Sequence, residues 1–335
     1  MRIAIIGAGF CGLATAWFLA QHKIFDITLI DAKHIGQGTS GIAAGLLHGY
    51  AGAHSKRNWR ATEGLAATHQ LLQVAQETLN APVATRSGIL RTAITPLQIA
   101  DFTACAQANH SDVQAKTAAE NVALMPNIVP APGIFISSGC VVDCQLYLQG
   151  LWQACMLRGV QFEQRHVTKL AELDSYDHII VAAGAATNQL PELKDLRLKA
   201  IKGQILELAW PNAMPPLPCP LNSQAYLIMH HHGLSCTAGA TFEREFNTLE
   251  PNLDVAVNEI MPKLQACIHG FEHYEILACR AGVRAATPDH KPLLLKHGAN
   301  CWVLTGMGSK GLLYHALFAK ELVEQVVSSY KGQRT

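Results

Sequence analysis

Charge is scarce in this chain: Asp, Glu, Lys and Arg make up only 15% of 335 residues, and 26 Lys and Arg stand against 25 Asp and Glu. With 49% hydrophobic residues, that balance excludes a disordered segment or a polyelectrolyte tail. Obligatory nucleic-acid binding loses weight too, because phosphate contacts draw on clustered positive charge that is not in excess here. No run of about 18 apolar residues is free of charge, so no membrane-spanning segment is expected. Arg2 precedes an apolar run, but the run breaks at Gly7 and no small-residue cleavage pattern follows, so a signal peptide is not expected. Paired cysteines are missing as well. The ten are scattered, and the nearest, Cys140 and Cys144, are one residue too far apart for CxxC. They read as reduced core residues of a cytoplasmic protein. There is no internal repeat, low-complexity tract or linker between autonomous halves, so the two domains that this length allows must interleave.

The informative pattern begins at once. Arg2 to Ile6 reads as a buried parallel strand, Gly7-Ala8-Gly9-Phe10-Cys11-Gly12 as a turn, Leu13 to Ala20 as a helix and Ile27 to Ile30 as a second strand ending at Asp31. In such a unit Gly7 permits the tight turn, Gly9 lets backbone approach a pyrophosphate, and Gly12 lets helix pack on strand. The helix N-terminus faces phosphate, and Asp31 can accept from a ribose hydroxyl. The reading is dinucleotide binding. NAD and FAD share this unit, and the segment after Ala32 argues for FAD. Gly38-Thr39-Ser40 and Ala43-Ala44-Gly45-Leu46 crowd small residues and hydroxyls behind the ribose acid, as a long extended cofactor needs.

Further along, helices are expected over 61–80, 97–108, 143–157 and 312–327. Gly159 is placed to cap the third. Strands are expected over 87–93, 160–164, 177–182 and 301–304. Between about 202 and 245 the alternation has a period of two, which predicts antiparallel strands with Gly233 in a hairpin turn. His230-His231-His232 is no metal site on this reading, because adjacent strand residues point to opposite faces. No metal is expected. Lys56, Arg57 and Arg60 read as a solvated patch at a helix entry.

The opening unit, Gly38-Thr39-Ser40 and the segment Arg280-Ala281-Gly282-Val283-Arg284 with Thr287-Pro288-Asp289 and Pro292 together resemble the D-amino-acid oxidase superfamily of FAD enzymes, which includes glycine oxidase and sarcosine oxidase. The chain is also similar to the flavin oxidase half of a bifunctional tRNA wobble-uridine-modifying enzyme. The resemblance implies an α/β fold: a Rossmann-like FAD-binding domain from 1–85, 136–205 and 276–335, with an interleaved α+β substrate domain from 86–135 and 206–275 containing a mostly antiparallel sheet. It implies that Val167 packs against adenine and that Ala183-Gly184 closes on phosphate or ribose. Gly306, Gly308, Ser309, Lys310 and Gly311 would form a second glycine turn whose helix dipole faces the flavin.

Arg284 would anchor a substrate carboxylate, although an ion pair within the protein is the competing reading and Arg280 is the other candidate. Tyr226 would sit near substrate or be a half-buried sheet tyrosine. Lys310 would assist the flavin or be solvated; His48 would be a core or active-site histidine, with flavin linkage a lesser alternative. The implied activity is oxidation of a small amino acid or secondary amine by hydride transfer to flavin N5, with oxygen or a quinone as electron acceptor. The alternatives are a carboxymethylaminomethyl group of tRNA, a 2-hydroxy acid, or a flavin-binding module without turnover. The charge balance weighs a small molecule above tRNA.

Overall fold

The computed structural model describes residues 1–230 and 232–332. A six-stranded sheet runs in the order Leu293–His297, Cys301–Thr305, His178–Val181, Arg2–Ile6, Asp26–Asp31, Gln161–Gln164; all neighbours are parallel except the first pair. The strand Arg2–Ile6 is apolar and buried on both faces from Ile3 onward because both faces are covered. Ile3 and Ile5 pack into one core cluster and Ala4 and Ile6 into another.

Seven helices are present among the described residues: α1 (Phe10–Leu19), α2 (Ala61–Leu79), α3 (Pro96–Ala108), α4 (Ala118–Leu124), α5 (Cys144–Met156), α6 (Leu253–Gln265) and α7 (Gly311–Gly332). Helices α1, α2, α5 and α7 cover the first face of the six-stranded sheet. Asp143 caps α5 by accepting the Leu146 N–H at 3.0 Å. Gly159 follows with a positive φ, as expected of the helix stop.

The second sheet has eight strands, in the order Ile276–Ala286, Lys199–Ala209, Ser235–Gly239, Tyr226–Met229, Leu221–Asn222, Ile89–Thr92, Gly133–Ile136, Val113–Lys116. It is antiparallel apart from one parallel bridge, Leu221 with Leu90. One of its two 11-residue strands, Lys199–Ala209, runs straight through position 205/206, where a domain boundary is expected. One face, with Leu206, Leu208, Leu227, Cys236 and Ala238, packs on α6 through Ala256, Ile260 and Leu264. The opposite face turns towards the first sheet. Leu46–Leu47, Cys140–Val142 and Ala84–Thr85 form a small third sheet.

The strand after Val160 ends at Gln164 as expected, and Val167 lies beyond it, buried in a cluster with Ile6, Ile30 and Val181. The structure corrects one local expectation. The strand holding Tyr226 stops at Met229, so His230 and His232 lie in a turn; their rings stand 5.7 Å apart and both meet the Ser235 hydroxyl. His231 lies outside the described residues. Gly233 takes a positive φ in that turn, and its N–H donates to the His230 carbonyl.

A fully buried pair ties three of the helices together. The Tyr147 hydroxyl on α5 meets His315 Nε2 on α7 at 2.7 Å, and Phe10 of α1 packs on both rings. Burial drives the His315 pKa down to about 4 from an ordinary 6.5. The folded state therefore resists a proton that the unfolded chain accepts. Stability contributed here is complete above pH 6.5 and falls as the pH drops towards 4, by on the order of 3 kcal/mol in all. His315→Gln is expected to flatten the thermal-unfolding midpoint between pH 6.5 and 4 relative to the parent; an unchanged pH slope would show that His315 does not carry it.

Candidate functional site

Three turns meet at one edge of the six-stranded sheet. Gly7, Ala183 and Gly306 follow the carboxyl ends of three adjacent strands: Arg2–Ile6, His178–Val181 and Cys301–Thr305. The chain leaves Arg2–Ile6 to one side for Asp26–Asp31, and His178–Val181 lies on the other. This is the switch point where open α/β sheets hold ligands. The sheet thus brings together glycine segments separated by well over a hundred residues.

Local bonding shapes the cradle. Asp31 accepts the Ala8 N–H on one carboxylate oxygen at 2.8 Å and the Lys33 N–H on the other at 2.9 Å, each oxygen keeping a second lone pair for a ribose hydroxyl. Helix α1 starts at Gly9 without a side-chain cap of its own, and the Phe10 N–H is taken by the Ser40 hydroxyl at 3.1 Å. A Cβ at Gly9 would stand 2.8 Å from that hydroxyl, in the space an approaching phosphate needs. First-turn N–H groups of Cys11 and Gly12 have no intrahelical carbonyl to bond, so an anion fits here.

Residues Thr39–Ile42 form a 3₁₀ turn after Gly38, and Gln145 of α5 pins the loop by donating to the carbonyls of Gly36 and Gly41, both at 2.9 Å. Gln145 was not legible from sequence, since its partners lie 104 and 109 residues away. Ala43, Ala44 and Gly45 lead from this turn to the strand Leu46–Leu47. Ala32 follows Asp31 at the strand end, and its carbonyl accepts from Gln164. Gly184 opens a 3₁₀ turn, and its carbonyl accepts from the Thr305 hydroxyl at 3.1 Å. Gly308, Ser309 and Lys310 form another directly before Gly311 and α7.

The same loop joins the two sheets. Thr39 Oγ1 bonds both the N–H and the carbonyl of Val283, and Ile42 lies against Gly282. The open face of the eight-stranded sheet therefore borders the cradle. The register places Arg284, Gly282 and Arg280 on that face, beside Ile201, Gly203, Ile205 and Glu207 of the next strand. The Arg284 guanidinium lies over Gly203, where a Cβ would collide with it. Tyr226, two strands from Gly203, lays its ring over Gly239 and feels the Arg284 charge. Burial pushes the Tyr226 phenol well up, so its hydroxyl stays protonated and able to donate. The ion-pair question separates the two arginines: Arg280 Nη2 meets Glu207 at 2.7 Å, whereas Arg284 has no ion pair among the described residues.

His48 and Lys310 also come together. They line a small cavity with Leu46, Leu47, Ser309 and Leu313. Burial, with help from Arg91, lowers the His48 pKa to about 3, so it is neutral near pH 7, and burial lowers Lys310 too. Arg91 gave no signal in the sequence. It is buried and donates to the Tyr50 and Gly52 carbonyls and the Ser55 hydroxyl, holding the loop after His48. Of the basic patch, Arg60 pairs with Glu63 and Glu321, and Arg57 bonds Thr62. All ten cysteines are free, and no group of three His, Cys, Asp or Glu among the described residues is placed to hold a metal ion. No described helix is long and apolar enough to cross a membrane.

Comparison with known proteins agrees with this geometry. The family model described as DAO, FAD dependent oxidoreductase, matches residues 2–325. Among curated proteins, the tRNA 5-methylaminomethyl-2-thiouridine biosynthesis bifunctional protein MnmC of a Polaromonas species is 28% identical over 379 residues, covering 96% of this chain and 56% of that protein. MnmC of Marinobacter nauticus is 28% identical over 359 residues, covering 97% and 55%. The chain thus spans about half the length of these relatives. Among solved structures, glycine oxidase from Geobacillus kaustophilus superposes with a TM-score of 0.84 at 21% identity, covering 97% of this chain and 95% of that one. Iminodiacetate oxidase from a Chelativorans species superposes with a TM-score of 0.83 at 21% identity, covering 98% and 95%. The fold is theirs.

Proposed function

Because the chain belongs to the DAO family of FAD dependent oxidoreductases, we propose that it oxidises a small amino acid or a secondary amine that carries a carboxylate. The observation that carries this reading is Arg284: a guanidinium on the open sheet face, beside the FAD cradle, without the internal ion pair that Arg280 has. A carboxylate fits its fork bidentately, and the protonated Tyr226 hydroxyl donates a further bond. The two groups hold the carbon next to the amine in one orientation, which is most of what hydride transfer asks of a protein.

When bound, FAD supplies the two-electron acceptor for the hydride that leaves this carbon. The C–H bond breaks with its electron pair, the nitrogen lone pair forms the C=N bond of a protonated imine, and water then adds to its carbon and releases the amine, a proton and a carbonyl product. Only the neutral amine has that lone pair. His48, neutral near pH 7, and Lys310, with its pKa lowered, leave the neighbourhood of the cavity less cationic than its composition suggests. The α7 N-terminus adds positive potential at the same edge. The assignment of the cradle residues to FAD binding, and the division into interleaved domains, form part of this proposal, as does a cytoplasmic location.

A second reading has a specific observation behind it. The curated relatives reported above are tRNA-modifying bifunctional proteins. A carboxymethylaminomethyl group on tRNA presents the same secondary amine and carboxylate on a large carrier.

Anaerobic mixing of the purified yellow protein with glycine, sarcosine, D-amino acids and modified tRNA tests both readings. Bleaching of the flavin by a small carboxylated amine supports the first, and bleaching by modified tRNA alone selects the second. A flavin that stays oxidised with every amine would overturn the proposal.

A further inference from the structure

The small cavity that His48 and Lys310 share contains two donors with nothing to bond. His48 is 6% exposed, and its Nδ1 accepts the Tyr50 N–H at 3.2 Å. In the neutral ring the proton therefore sits on Nε2. Neither that Nε2 nor Lys310 Nζ has a hydrogen-bond or ion-pair partner among the described residues. Apart from Ser309, the other walls are apolar: Leu46, Leu47, Ala51, Leu312 and Leu313.

Size and charge narrow what can enter. The cavity measures about 30 Å³. That holds a water or a two-atom molecule, whereas a benzene-sized ring takes a cavity of about 150 Å³. A quinone is thus too large, and so is a carboxylated amine. Of the small molecules that bear on the reaction, water and dioxygen remain. Burial lowers the Lys310 pKa, so a cation there is short of compensation. A guest that stays neutral relieves little of that cost. Dioxygen becomes an anion when it takes an electron, and groups that bind the product of a step more tightly than its reactant speed that step.

We infer that this cavity takes dioxygen, and that Lys310 and His48 stabilise the superoxide that the first electron makes of it. The inference rests on the reading above that the turn 306–311 meets the flavin, and it names the electron acceptor as oxygen rather than a quinone. No bond breaks in the first transfer. A second electron and two protons complete hydrogen peroxide; both electrons come from the reduced cofactor, one proton from its ring and one from solvent.

Dithionite reduces the flavin without any amine, so the test is independent of which amine is oxidised. Anaerobically reduced protein is mixed with dioxygen or with ferricenium ion, a one-electron acceptor that needs no cavity. The parent is expected to react with dioxygen about tenfold or more faster than free reduced FAD. Lys310→Met should slow the dioxygen reaction roughly 100-fold and the ferricenium reaction by less than about threefold, a split that a merely structural role would not give. Ala51→Leu, which fills the cavity from the loop after His48, should slow the dioxygen reaction in the same selective way. Crystals of the parent under xenon pressure should hold xenon in the cavity, and those of Ala51→Leu should not. A parent no faster than free reduced FAD, or variants that slow both acceptors alike or neither, overturn the oxygen site while the amine reading stands. Bromide bound in the cavity, with dioxygen reactivity intact in Lys310→Met, would assign it to an inorganic anion and overturn the inference too.

Discussion

Arg284→Ala is expected to raise the amine concentration for half-maximal anaerobic bleaching roughly 100-fold, with FAD still bound in full. A bidentate, charge-assisted pair with a carboxylate in a partly closed site contributes about 3 kcal/mol, and each 1.4 kcal/mol is about tenfold. Flavin should be retained because the guanidinium rests over Gly203 on the eight-stranded sheet, while the α1 turn, Asp31 and Ser40 form the cradle. Arg284→Lys should recover only part of the loss, since a point charge cannot reproduce the planar fork. Arg284→Ala that binds amine as before would leave the carboxylate anchor without support. Colourless Arg284→Ala protein would instead place Arg284 in the cofactor site.

Gly12→Ala is expected to yield protein without FAD. The added methyl would overlap the Gly7 carbonyl oxygen, and Gly7 cannot give way because its own N–H is bonded to the Ile30 carbonyl at 2.8 Å. Helix α1 would have to lift from the strand, carrying away the first-turn N–H groups aimed at phosphate. Ser40→Ala gives a gentler version that leaves the helix seated. It removes the hydroxyl that meets the Phe10 N–H, and a loss of about 1 kcal/mol predicts roughly fivefold weaker FAD binding. Absorbance of the released flavin, measured against protein, reads both variants; Gly12→Ala protein with a full complement of FAD would exclude the close approach as the reason for this glycine.

The nucleotide-binding half was largely legible before the fold was known. Its signals are local: an apolar strand, three glycines, a helix and Asp31 lie within 30 residues, and each requirement acts on neighbours in the chain. The second sheet was less legible. Its strands near 205, 227 and 237 showed in the alternation, but α6 and the strands Val113–Lys116 and Gly133–Ile136 did not. The histidine triplet was read as strand when the chain already turns at His230. Arg91, Gln145 and His315 carry no local pattern, because what gives each its role is a partner distant in sequence.

What the sequence determined by itself is the cofactor and the type of fold, for phosphate binding at a helix start and burial of a parallel sheet are both written in short-range patterns. Which arginine stands open was decided only in three dimensions. Arg280 and Arg284 occupy the same face of the same strand and look alike in the sequence, but Glu207, 73 residues from Arg280, reaches one and not the other. Register across strands, which no single segment contains, left one guanidinium paired and the other open beside the cradle.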